Sequence, residues 1–371
     1  MSVLHVIDGS TDETQCQIIG TLVDRLRRDR ARHVVCAVDP AAREMAAGFV
    51  GPPVELARQR FFPLMSLAPR LGEIAQSAAA GIVHAWGFRA ASMCAARLPG
   101  KPLLLTLLNP DATTQTARLV SALPMEATVA VGSQVIRSRL LSAGVPPDRV
   151  VVIRGPADFA AINAARRQEL RQRVVGEGGP VVLMNGPATR GGGQFYGIWA
   201  CAVVSKVLAG LRVILPYDST EARRLKRFVT QIQIPEMLIV PSSALTWSQL
   251  VACADIFLCP AVEETCTEPL ATAMAAGIPV VGTAVRSVAE VIADKHNGLL
   301  CKPKDPRGLA ARLLTAIEDA DLVRKVTEVA RGQAYEVFGI RDFADNYARL
   351  YENLLAGRHA AEGIKDTAMV A

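Results

Sequence analysis

The stretch ADIFLCPAVEETCTEPLATAMAAGIPVVGT, residues 254–283, decides the fold. It opens with an apolar strand pattern that ends at Pro260, and it closes with a second strand pattern at residues 278–283. The small apolar residues between them have helical character, since Pro269 suits the first turn of a helix and Gly277 suits its end. A strand, a helix and a further strand in this order predict a unit of a parallel sheet.

The same alternation of apolar runs and helical patterns extends along the chain. Runs dense in Val, Ile and Leu predict strands that are buried on both faces, as in parallel sheets covered by helices. Six runs fall in each half, at residues 3–8, 33–38, 81–86, 102–108, 127–132 and 149–155, and then at 180–186, 211–216, 236–241, 254–260, 278–283 and 298–303. Two sets of six predict an α/β protein with two Rossmann-like, doubly wound domains.

A polar segment that ends in glycines, residues 155–180, marks the boundary between the two halves. We expect an N-terminal domain over residues 1–160 and a C-terminal domain over residues 161–339. The last helical pattern, residues 340–357, is amphipathic and needs a partner for its apolar face. That face comprises Phe343, Tyr347, Leu350, Tyr351 and Leu354. Beyond Gly357 we expect a tail that frays.

The composition excludes several classes of protein. Half of the 371 residues are hydrophobic and 20% are charged, which is typical of folded domains. No apolar run approaches the roughly 18 residues that span a bilayer, and the opening MSVLHVIDGS is a strand pattern rather than a signal peptide. The eight cysteines are scattered without a C-x-x-C pair, which favours buried thiols in a reducing cytoplasm. We therefore expect a cytoplasmic protein.

The net charge of +6 is unevenly distributed, because the first 170 residues hold 19 Lys and Arg against 14 Asp and Glu. The excess is concentrated in DRLRRDRAR, residues 24–32, at the end of the first predicted helix. These cations either complement the helix dipole or form a patch for peripheral contact with an anionic membrane face or an anionic acceptor. The patch lacks interleaved aromatic residues, so no nucleic-acid partner is expected.

Ligands of open parallel sheets bind beyond the carboxyl ends of strands, where loops enter helices. In VLMNGPATRGGGQFYGIW, residues 182–199, a strand ends at Asn185–Gly186 and a helix begins near Gln194. The loop between them carries Arg190 and three glycines, a pattern that suits a phosphate because glycine N–H groups approach anions and Arg pairs bidentately with them. It is not a P-loop, and a solvated turn remains the alternative.

The loop that opens the helix after Pro260 carries carboxylates. Glu264 would stand in this loop, and Glu268 and Thr272 are four residues apart and so share one helix face. Thr267 or Glu268 can cap the helix N-terminus. Capping does not explain the further pair Glu263–Glu264, although loop carboxylates are often only solvated. Both a structural role and a ligand-binding role are therefore open.

Residues 247–313 resemble the C-terminal domain of the retaining GT-B glycosyltransferase family 4 (glycosyl transferases group 1), whose members use nucleotide-sugar donors. The resemblance includes AMAAGIPVV, the Glu290 of SVAEVI, the NGLL turn and DPRGLAARL. It extends to GIVHAWG, to VAVGSQVIRSRLLSAGVPPDRVVVIRGPAD and to FGIRDFADNYARLYENLL. It implies a GT-B fold whose two domains face an interdomain cleft, with a final segment, residues 340–371, that crosses back onto the first domain.

The resemblance also implies roles for single residues. Glu264 matches the glutamate beside the donor sugar, whereas Thr272 stands where the family has a second glutamate at the nucleotide ribose. Arg190 replaces a lysine at the donor diphosphate, and the position of the motif arginine is Pro187. Catalytic roles would fall to Glu264 and Arg190. Donor binding would fall to Gly186, Gly191, Cys266, Thr267, Glu268, Pro269 and Thr272.

The implied activity is transfer of a sugar, with retention, from a nucleotide-sugar to a glycan, lipid or small-molecule acceptor. No cofactor or metal is expected, because no Asp/His cluster has ligand spacing. Two alternatives use the same fold. One is a catalytically degenerate GT-B protein that acts as a binding or assembly partner, which the changes at positions 187 and 272 favour. The other is a nucleotide-sugar epimerase.

Overall fold

The computed structural model describes residues 1–9, 11–27, 32–48, 54–55, 68–108, 120–166, 169–186, 188–241 and 245–365. Within these residues the chain forms two compact units. The first unit comprises Met1–Gly155 and the described chain from Arg341 onward, and the second comprises Pro156–Ile340. Each unit is built around its own parallel sheet.

The first unit contains a seven-stranded sheet. Its strands are β1 (Ser2–Ile7), β2 (Arg32–Ala37), β3 (Val54–Glu55), β4 (Ile82–Trp86), β5 (Leu103–Leu107), β6 (Thr128–Val131) and β7 (Val150–Val152). They lie in the order β3-β2-β1-β4-β5-β6-β7, and every pair is parallel. The helices described before the domain boundary are α1 (Glu13–Arg27), α2 (Pro40–Ala47), α3 (Ala68–Ser77), α4 (Phe88–Arg97) and α5 (Gln134–Ser142).

The second unit contains a six-stranded sheet. Its strands are β8 (Val181–Met184), β9 (Arg212–Ile214), β10 (Leu238–Ile239), β11 (Ile256–Cys259), β12 (Val280–Thr283) and β13 (Leu299–Cys301). They lie in the order β10-β9-β8-β11-β12-β13, again with parallel pairs.

The helices of the second unit follow its strands in sequence. They are α6 (Phe159–Arg166), α7 (Leu170–Val174), α8 (Gln194–Val204), α9 (Thr220–Gln231), α10 (Trp247–Ala252), α11 (Glu268–Ala276), α12 (Arg286–Ala289), α13 (Pro306–Glu318) and α14 (Ala320–Val337). The last helix, α15 (Ile340–Ala356), belongs to the first unit from Arg341 onward.

Both sheets are covered on both faces, as the continuous apolar runs predict. Val3 and Leu4 are neighbours on β1, yet they lie in different hydrophobic cores, because successive side chains of a strand point to opposite faces. Each of the twelve predicted runs contains a strand, and the prediction of two Rossmann-like α/β domains is confirmed. Strand β3 was not predicted, because two residues form no pattern.

Helix α15 packs on the first sheet through apolar and polar contacts. Its Tyr347 and Tyr351 are fully buried in the core that covers one face of the sheet. The Tyr351 hydroxyl lies 2.8 Å from Nδ1 of His84 on β4, and the other ring nitrogen of His84 lies 2.7 Å from Oγ1 of Thr106 on β5. The Tyr347 hydroxyl lies 3.1 Å from the same Thr106 oxygen. The last helix therefore supplies hydrogen-bond partners for polar side chains inside the sheet.

A second buried network is a chain of hydrogen bonds in which Trp86 donates to His5 and His5 donates to His33. Trp86 Nε1–H can only donate, and it lies 3.1 Å from Nδ1 of His5, which must therefore accept. Neutral His5 then carries its proton on Nε2 and donates to Nδ1 of His33 at 2.9 Å. His33 in turn carries its proton on Nε2, which is buried without a hydrogen-bond partner among the described residues. The geometry therefore requires both imidazoles to be neutral.

The expected fraying beyond Gly357 is wrong for the residues up to Lys365. Asn353 Nδ2 donates to the carbonyl of Glu362 at 2.8 Å, and Oδ1 of Asn346 accepts from the Lys365 amide at 3.1 Å. Lys365 Nζ also lies 2.7 Å from an oxygen of Asp342. Polar side chains of α15 thus hold the tail, and local composition does not reveal such contacts.

The basic segment 24–32 lies only partly within the described chain, since residues 28–31 fall outside it. Arg25 and Arg27 occupy the last turn of α1, and Arg27 lies 4.0 Å from Asp24 with both side chains exposed. These positions suit the helix dipole. No helix in the described ranges is long and apolar enough to cross a membrane.

The stability of the first unit should fall as the pH drops below about 6.5. Burial lowers the pKa of His5 and His84 well below 6.5, and burial with the nearby Arg27 and N-terminal amine lowers that of His33 to about 4. The unfolded chain then binds protons that the folded rings do not, so free energy of unfolding is lost between about pH 6.5 and 4. His33 alone should account for about 1 kcal/mol at pH 5.5. Thermal denaturation at pH 7.5, 6.5 and 5.5 measures this loss.

Two variants sharpen the measurement. His33→Asn has no titrating ring, so its stability should fall less steeply with pH than that of the wild type. His296→Gln, at an exposed histidine of the second unit, is the control for replacing a histidine outside this network. A wild-type midpoint that is flat from pH 7.5 to 5.5 would contradict the neutral network.

Candidate functional site

The order of strands in the second sheet reverses between β8 and β11. The chain passes outward from β8 through β9 to β10, returns to β11 and then runs outward on the other side to β13. Two loops therefore leave the carboxyl ends of adjacent strands in opposite directions, which opens a crevice. We name them loop L1, residues 185–193, which enters α8, and loop L2, residues 260–267, which enters α11. Within L1, Pro187 lies outside the described residues.

Loop L1 folds around the first side chain of α8. Gln194 is buried, and its Nε2 donates to the carbonyl of Asn185 at 2.8 Å, while its Oε1 accepts from the Thr189 amide at 3.2 Å. Two glycines adopt positive φ, +64° at Gly186 and +70° at Gly193, a region in which side chains are strained. The helix begins at Gln194, as predicted.

The two loops are held together at their backbones. The carbonyl of Gly191 accepts from the amides of Val262 and Glu263, at 2.9 and 3.1 Å. Asn185 Nδ2 donates to Thr265 Oγ1 at 3.0 Å. The closest approach is at Gly193, where a Cβ atom would lie 1.9 Å from the carbonyl oxygen of Pro260. The shape of one loop therefore fixes the shape of the other.

Arg190 lies in L1 with an exposed side chain. Its Nε is 3.7 Å from an oxygen of Glu221, which is closer to Arg224, at 2.7 Å. The Arg190 side chain is 82% exposed, and pairs at such exposure contribute at most about 1 kcal/mol. The guanidinium can therefore exchange this partner for a phosphate at little cost. The assignment of Arg190 to a donor diphosphate remains a prediction. The assignment of Pro187 to the position of the motif arginine also remains a prediction.

Glu264 in L2 is half-buried and takes part in a local structure. Its Oε2 accepts from the backbone N–H of Ser287 at 2.7 Å, and Ser287 lies in the first turn of α12. Ser287 Oγ in turn accepts from the Thr265 amide at 2.9 Å. Glu264 therefore joins L2 to the helix that follows β12, so a structural role for this carboxylate is established by geometry. Its assignment to a donor sugar remains a prediction.

The start of α11 differs in detail from the expected cap. Thr267 is the N-cap residue, but its hydroxyl makes no capping hydrogen bond. Its φ of −100° and ψ of −6° are helical, whereas a capping side chain needs an extended backbone to reach the N–H groups of the first turn. Glu268 is the buried first residue of the helix, and one of its carboxylate oxygens contacts Sγ of the half-buried Cys266. Pro269 follows in the first turn, as predicted.

Thr272 lies one turn into α11 and is buried, like Glu268. Its Oγ1 donates to the carbonyl of Glu268 at 3.1 Å, so the two residues share one helix face. The hydroxyl is thus bonded within its own helix, an arrangement typical of threonine. Its oxygen can still accept a hydrogen bond from a ligand hydroxyl, but its one proton is committed.

The structure brings the predicted residues onto L1, L2 and the start of α11, but Arg190 and Glu264 contact different helices. Arg190 contacts the helix after β9, and Glu264 contacts the helix after β12, on either side of the β8–β11 junction. Sequence reasoning missed Asn185, Gln194 and Ser287, which build the loops. They are neutral, so no charge pattern marks them, although Asn185 directly follows a strand and Gln194 begins a predicted helix.

The first sheet also reverses order, between β1 and β4, but its helix starts there are filled by carboxylates. Asp8 follows β1, and its Oδ2 accepts from the amide of Ala90 in the first turn of α4 at 2.9 Å. Asp39 caps α2 and also accepts from the amide of Gly9 at 2.7 Å. In the second unit, the N-cap residues of α8 and α11, Gly193 and Thr267, provide no side-chain cap. Helices α8 and α11 therefore lack an N-cap side chain of the kind that Asp39 gives α2.

All eight cysteines are free, and six of them are buried. Burial raises the pKa of Cys259, at the end of β11, to about 12, so this thiol stays protonated near neutral pH. Across the described ranges, no group of three or more His, Cys, Asp or Glu side chains is placed to hold a metal ion.

Replacing Gly193 by alanine should destabilise the second unit strongly. The new Cβ would meet the Pro260 carbonyl oxygen, and the backbone would keep a strained positive φ, so L1 and L2 must separate. We expect a loss of about 3 kcal/mol or more in the free energy of unfolding, measured by chemical denaturation. Gly176→Ala is the matched control, because Gly176 has a φ of +74° with nothing within 4 Å of its Cβ position. It should lose only about 1 kcal/mol, and equal losses would contradict the close approach.

Known proteins share both sequence and fold with this chain. Residues 202–319 match the family model described as Glycosyl transferases group 1. The chain is 28% identical over 144 residues to N-acetyl-alpha-D-glucosaminyl L-malate synthase of Bacillus anthracis, a match that covers 39% of this chain and 38% of that protein. The chain thus spans less than half of the length of this curated relative.

The fold is shared over nearly the whole chain. The structure of Anabaena Alr3699/HepE in complex with UDP and glucose matches with a TM-score of 0.78 at 20% identity, covering 95% of this chain and 100% of that one. A glycosyltransferase from Rickettsia africae ESF-5 matches with a TM-score of 0.74 at 15% identity, covering 95% and 98%. The chain therefore has the GT-B fold of glycosyltransferases, and its residues 202–319 carry the sequence pattern of glycosyl transferases group 1.

Proposed function

We propose that the chain is a group 1, family 4-like glycosyltransferase that moves a sugar from a nucleotide-sugar donor to an acceptor with retention of configuration. One observation carries the proposal: α8 and α11 both begin at the switch point of the second sheet, and neither has a side-chain cap. Helix N-termini present N–H donors and the positive end of the helix dipole. Two of them at one crevice suit the diphosphate of a nucleotide-sugar.

In this proposal the diphosphate lies between L1 and L2. The backbone at Gly186 and Gly191 approaches it, and Arg190 leaves Glu221 to pair with a phosphate oxygen. Positive charge at the departing diphosphate should contribute most to the rate of transfer, and the two helix dipoles and Arg190 supply it. No metal or further cofactor is part of the proposal.

The sugar and the ribose would lie toward α11. Glu264 would hold the donor sugar with its carboxylate, and Thr272 would stand beside the ribose with a hydroxyl already bonded to Glu268. The N–H groups of Cys266, Thr267 and Glu268 would meet phosphate or sugar, and Pro269, which has no N–H, would shape this turn. Because Thr272 is neutral and, while bonded to Glu268, can only accept from a ribose hydroxyl, we expect the ribose to be held weakly.

The donor and acceptor are proposed as classes. The Anabaena structure contains UDP and glucose, so UDP is our first choice of nucleotide. The acceptor is a glycan, a lipid or a small molecule, and the relative from Bacillus anthracis is named for a glycosylated small molecule, N-acetyl-alpha-D-glucosaminyl L-malate. We place the reaction in the cytoplasm.

A second candidate function is a GT-B protein that has lost catalysis and acts as a binding or assembly partner. It is favoured by the contacts of two predicted site residues. Glu264 is bonded to the Ser287 amide, and Thr272 is bonded to the Glu268 carbonyl, so both have structural roles without a ligand.

A ligand panel separates the two candidates. We expect one of UDP, GDP, ADP and their sugars to raise the thermal midpoint, because a ligand at 100 times its Kd stabilises the folded state by about 2.7 kcal/mol. Arg190→Ala should weaken that shift, whereas Arg324→Ala, which removes an exposed arginine from α14, should leave it unchanged. If no nucleotide or nucleotide-sugar shifts the midpoint, the transferase proposal fails and the binding-partner role replaces it.

Two substitutions of Glu264 distinguish its chemistry from its structural contact. Glu264→Gln keeps an oxygen that can accept from Ser287 N–H but removes the charge. It should retain the thermal midpoint and lose at least about tenfold in transfer or donor hydrolysis, from the ~1.5 kcal/mol between charged and neutral hydrogen bonds. Glu264→Ala should lose activity and also about 1 kcal/mol of stability. A fully active Glu264→Gln enzyme would leave Glu264 with a structural role alone.

A further inference from the structure

One face of the second unit concentrates exposed apolar side chains. Nine large hydrophobic residues are exposed in the described chain, and five of them lie on α8, on α9 or just after these helices. They are Phe195, Trp199, Val203, Val207 and Ile232. Scattered exposed apolar residues are ordinary, whereas such a cluster marks an interaction surface. We call it the α8–α9 face.

The α8–α9 face is continuous rather than a set of isolated side chains. Phe195, Trp199 and Val203 are spaced by four, so they form one row along α8, and Val207 extends it beyond the helix end. Phe228 of α9 lies beside this row, with its ring centroid 5.1 Å from that of Phe195 and 6.4 Å from that of Trp199. The face also holds the one exposed tryptophan of the chain, since Trp86 and Trp247 are buried.

The segment that carries this apolar row has an excess of positive charge. Residues 190–232 hold seven Lys and Arg against two Asp and Glu. Arg224, Phe228 and Ile232 are spaced by four on α9, so a cation continues the apolar row of that helix. Lys206 is exposed immediately beside Val207. Trp and Phe bordered by Lys and Arg form the pattern of surfaces that lie in the headgroup region of a bilayer.

We propose that the α8–α9 face docks on an anionic lipid bilayer, with the aromatic row in the headgroup region and the cations on lipid phosphates. The charge argues against a second copy of the chain as the occupant. In a two-fold dimer the same patch meets itself, which would bring the cations of the two copies together. An anionic membrane instead complements them, because its lipid phosphates attract Lys and Arg near the surface. The proposal does not depend on the transferase activity.

Flotation of the full chain with lipid vesicles tests the proposal. The protein should float with vesicles of phosphatidylcholine and 30% phosphatidylglycerol, and it should stay in solution with phosphatidylcholine alone. Binding should weaken as salt is added, because ions screen the contact. On binding, the emission of Trp199 should shift to shorter wavelength. Trp199→Phe should lose that shift and still float.

Matched variants show whether vesicle binding depends on the α8–α9 face or only on the net charge of the protein. Lys206→Glu with Arg224→Glu should weaken binding by at least about tenfold. Arg324→Glu with Lys325→Glu makes the same charge change on α14, and Arg324 pairs with Asp321 three residues away as Arg224 does with Glu221. This control should still float. Trp199→Gln with Val203→Gln should also lose binding, whereas Tyr335→Gln, at an exposed aromatic residue elsewhere in the unit, should not.

Two results would overturn the proposal. One is a wild-type protein that stays in solution at low salt with the anionic vesicles, without a change in tryptophan emission. The other is a dimer in sedimentation equilibrium that Trp199→Gln with Val203→Gln dissociates, without vesicle binding by the wild type. That outcome would assign the face to a second copy. Thermal midpoints of all variants show that each remains folded.

Discussion

Parallel strand pairing with both faces buried is the constraint on which the rest of the structure depends. It leaves the sheets no polar face, so chemistry is confined to the edge where strands end and helices begin. Both sheets reverse their order once and thereby open a crevice. In the first sheet, the carboxylates of Asp8 and Asp39 accept hydrogen bonds from backbone amides at that edge. In the second, the glycines of L1, the carboxylates of L2 and two helix starts without an N-cap side chain line it, so the same plan yields a different set of polar groups.

Apolar runs were sufficient to predict the strands, because a buried parallel strand must be apolar at nearly every position. They could not predict β3, which has only two residues, or the attachment of the tail after Gly357 to α15. The tail is fixed by Asn346 and Asn353, whose side chains reach residues that follow them by nine or more positions. Contacts between polar side chains and distant backbone leave no periodic signal in the sequence. The composition therefore predicted a frayed tail, whereas the structure holds the tail with hydrogen bonds.

The candidate site could be located from the sequence, but its internal geometry could not. Loops after strands, glycines and carboxylates indicated where L1 and L2 would lie. The contact of Gly193 with Pro260 joins two segments about seventy residues apart, and no pattern in the sequence links these two positions. Thr267 occupies the N-cap position, but its hydroxyl does not cap the helix, because the backbone of this residue is helical rather than extended. Ser287, which engages Glu264, lies in the SVAEVI stretch, where the family resemblance singled out Glu290 instead.

The placement of α15 sets an order of events during synthesis. The strands that carry His84 and Thr106 leave the ribosome early, but their hydroxyl partners Tyr351 and Tyr347 follow them by 267 and 241 residues. The whole of the second unit emerges in between and can complete its sheet first. The usual rule that N-terminal domains finish folding before later ones is thus inverted. A nascent chain would carry an incomplete first unit, in which His84 and Thr106 lack their tyrosine partners, until α15 is synthesised.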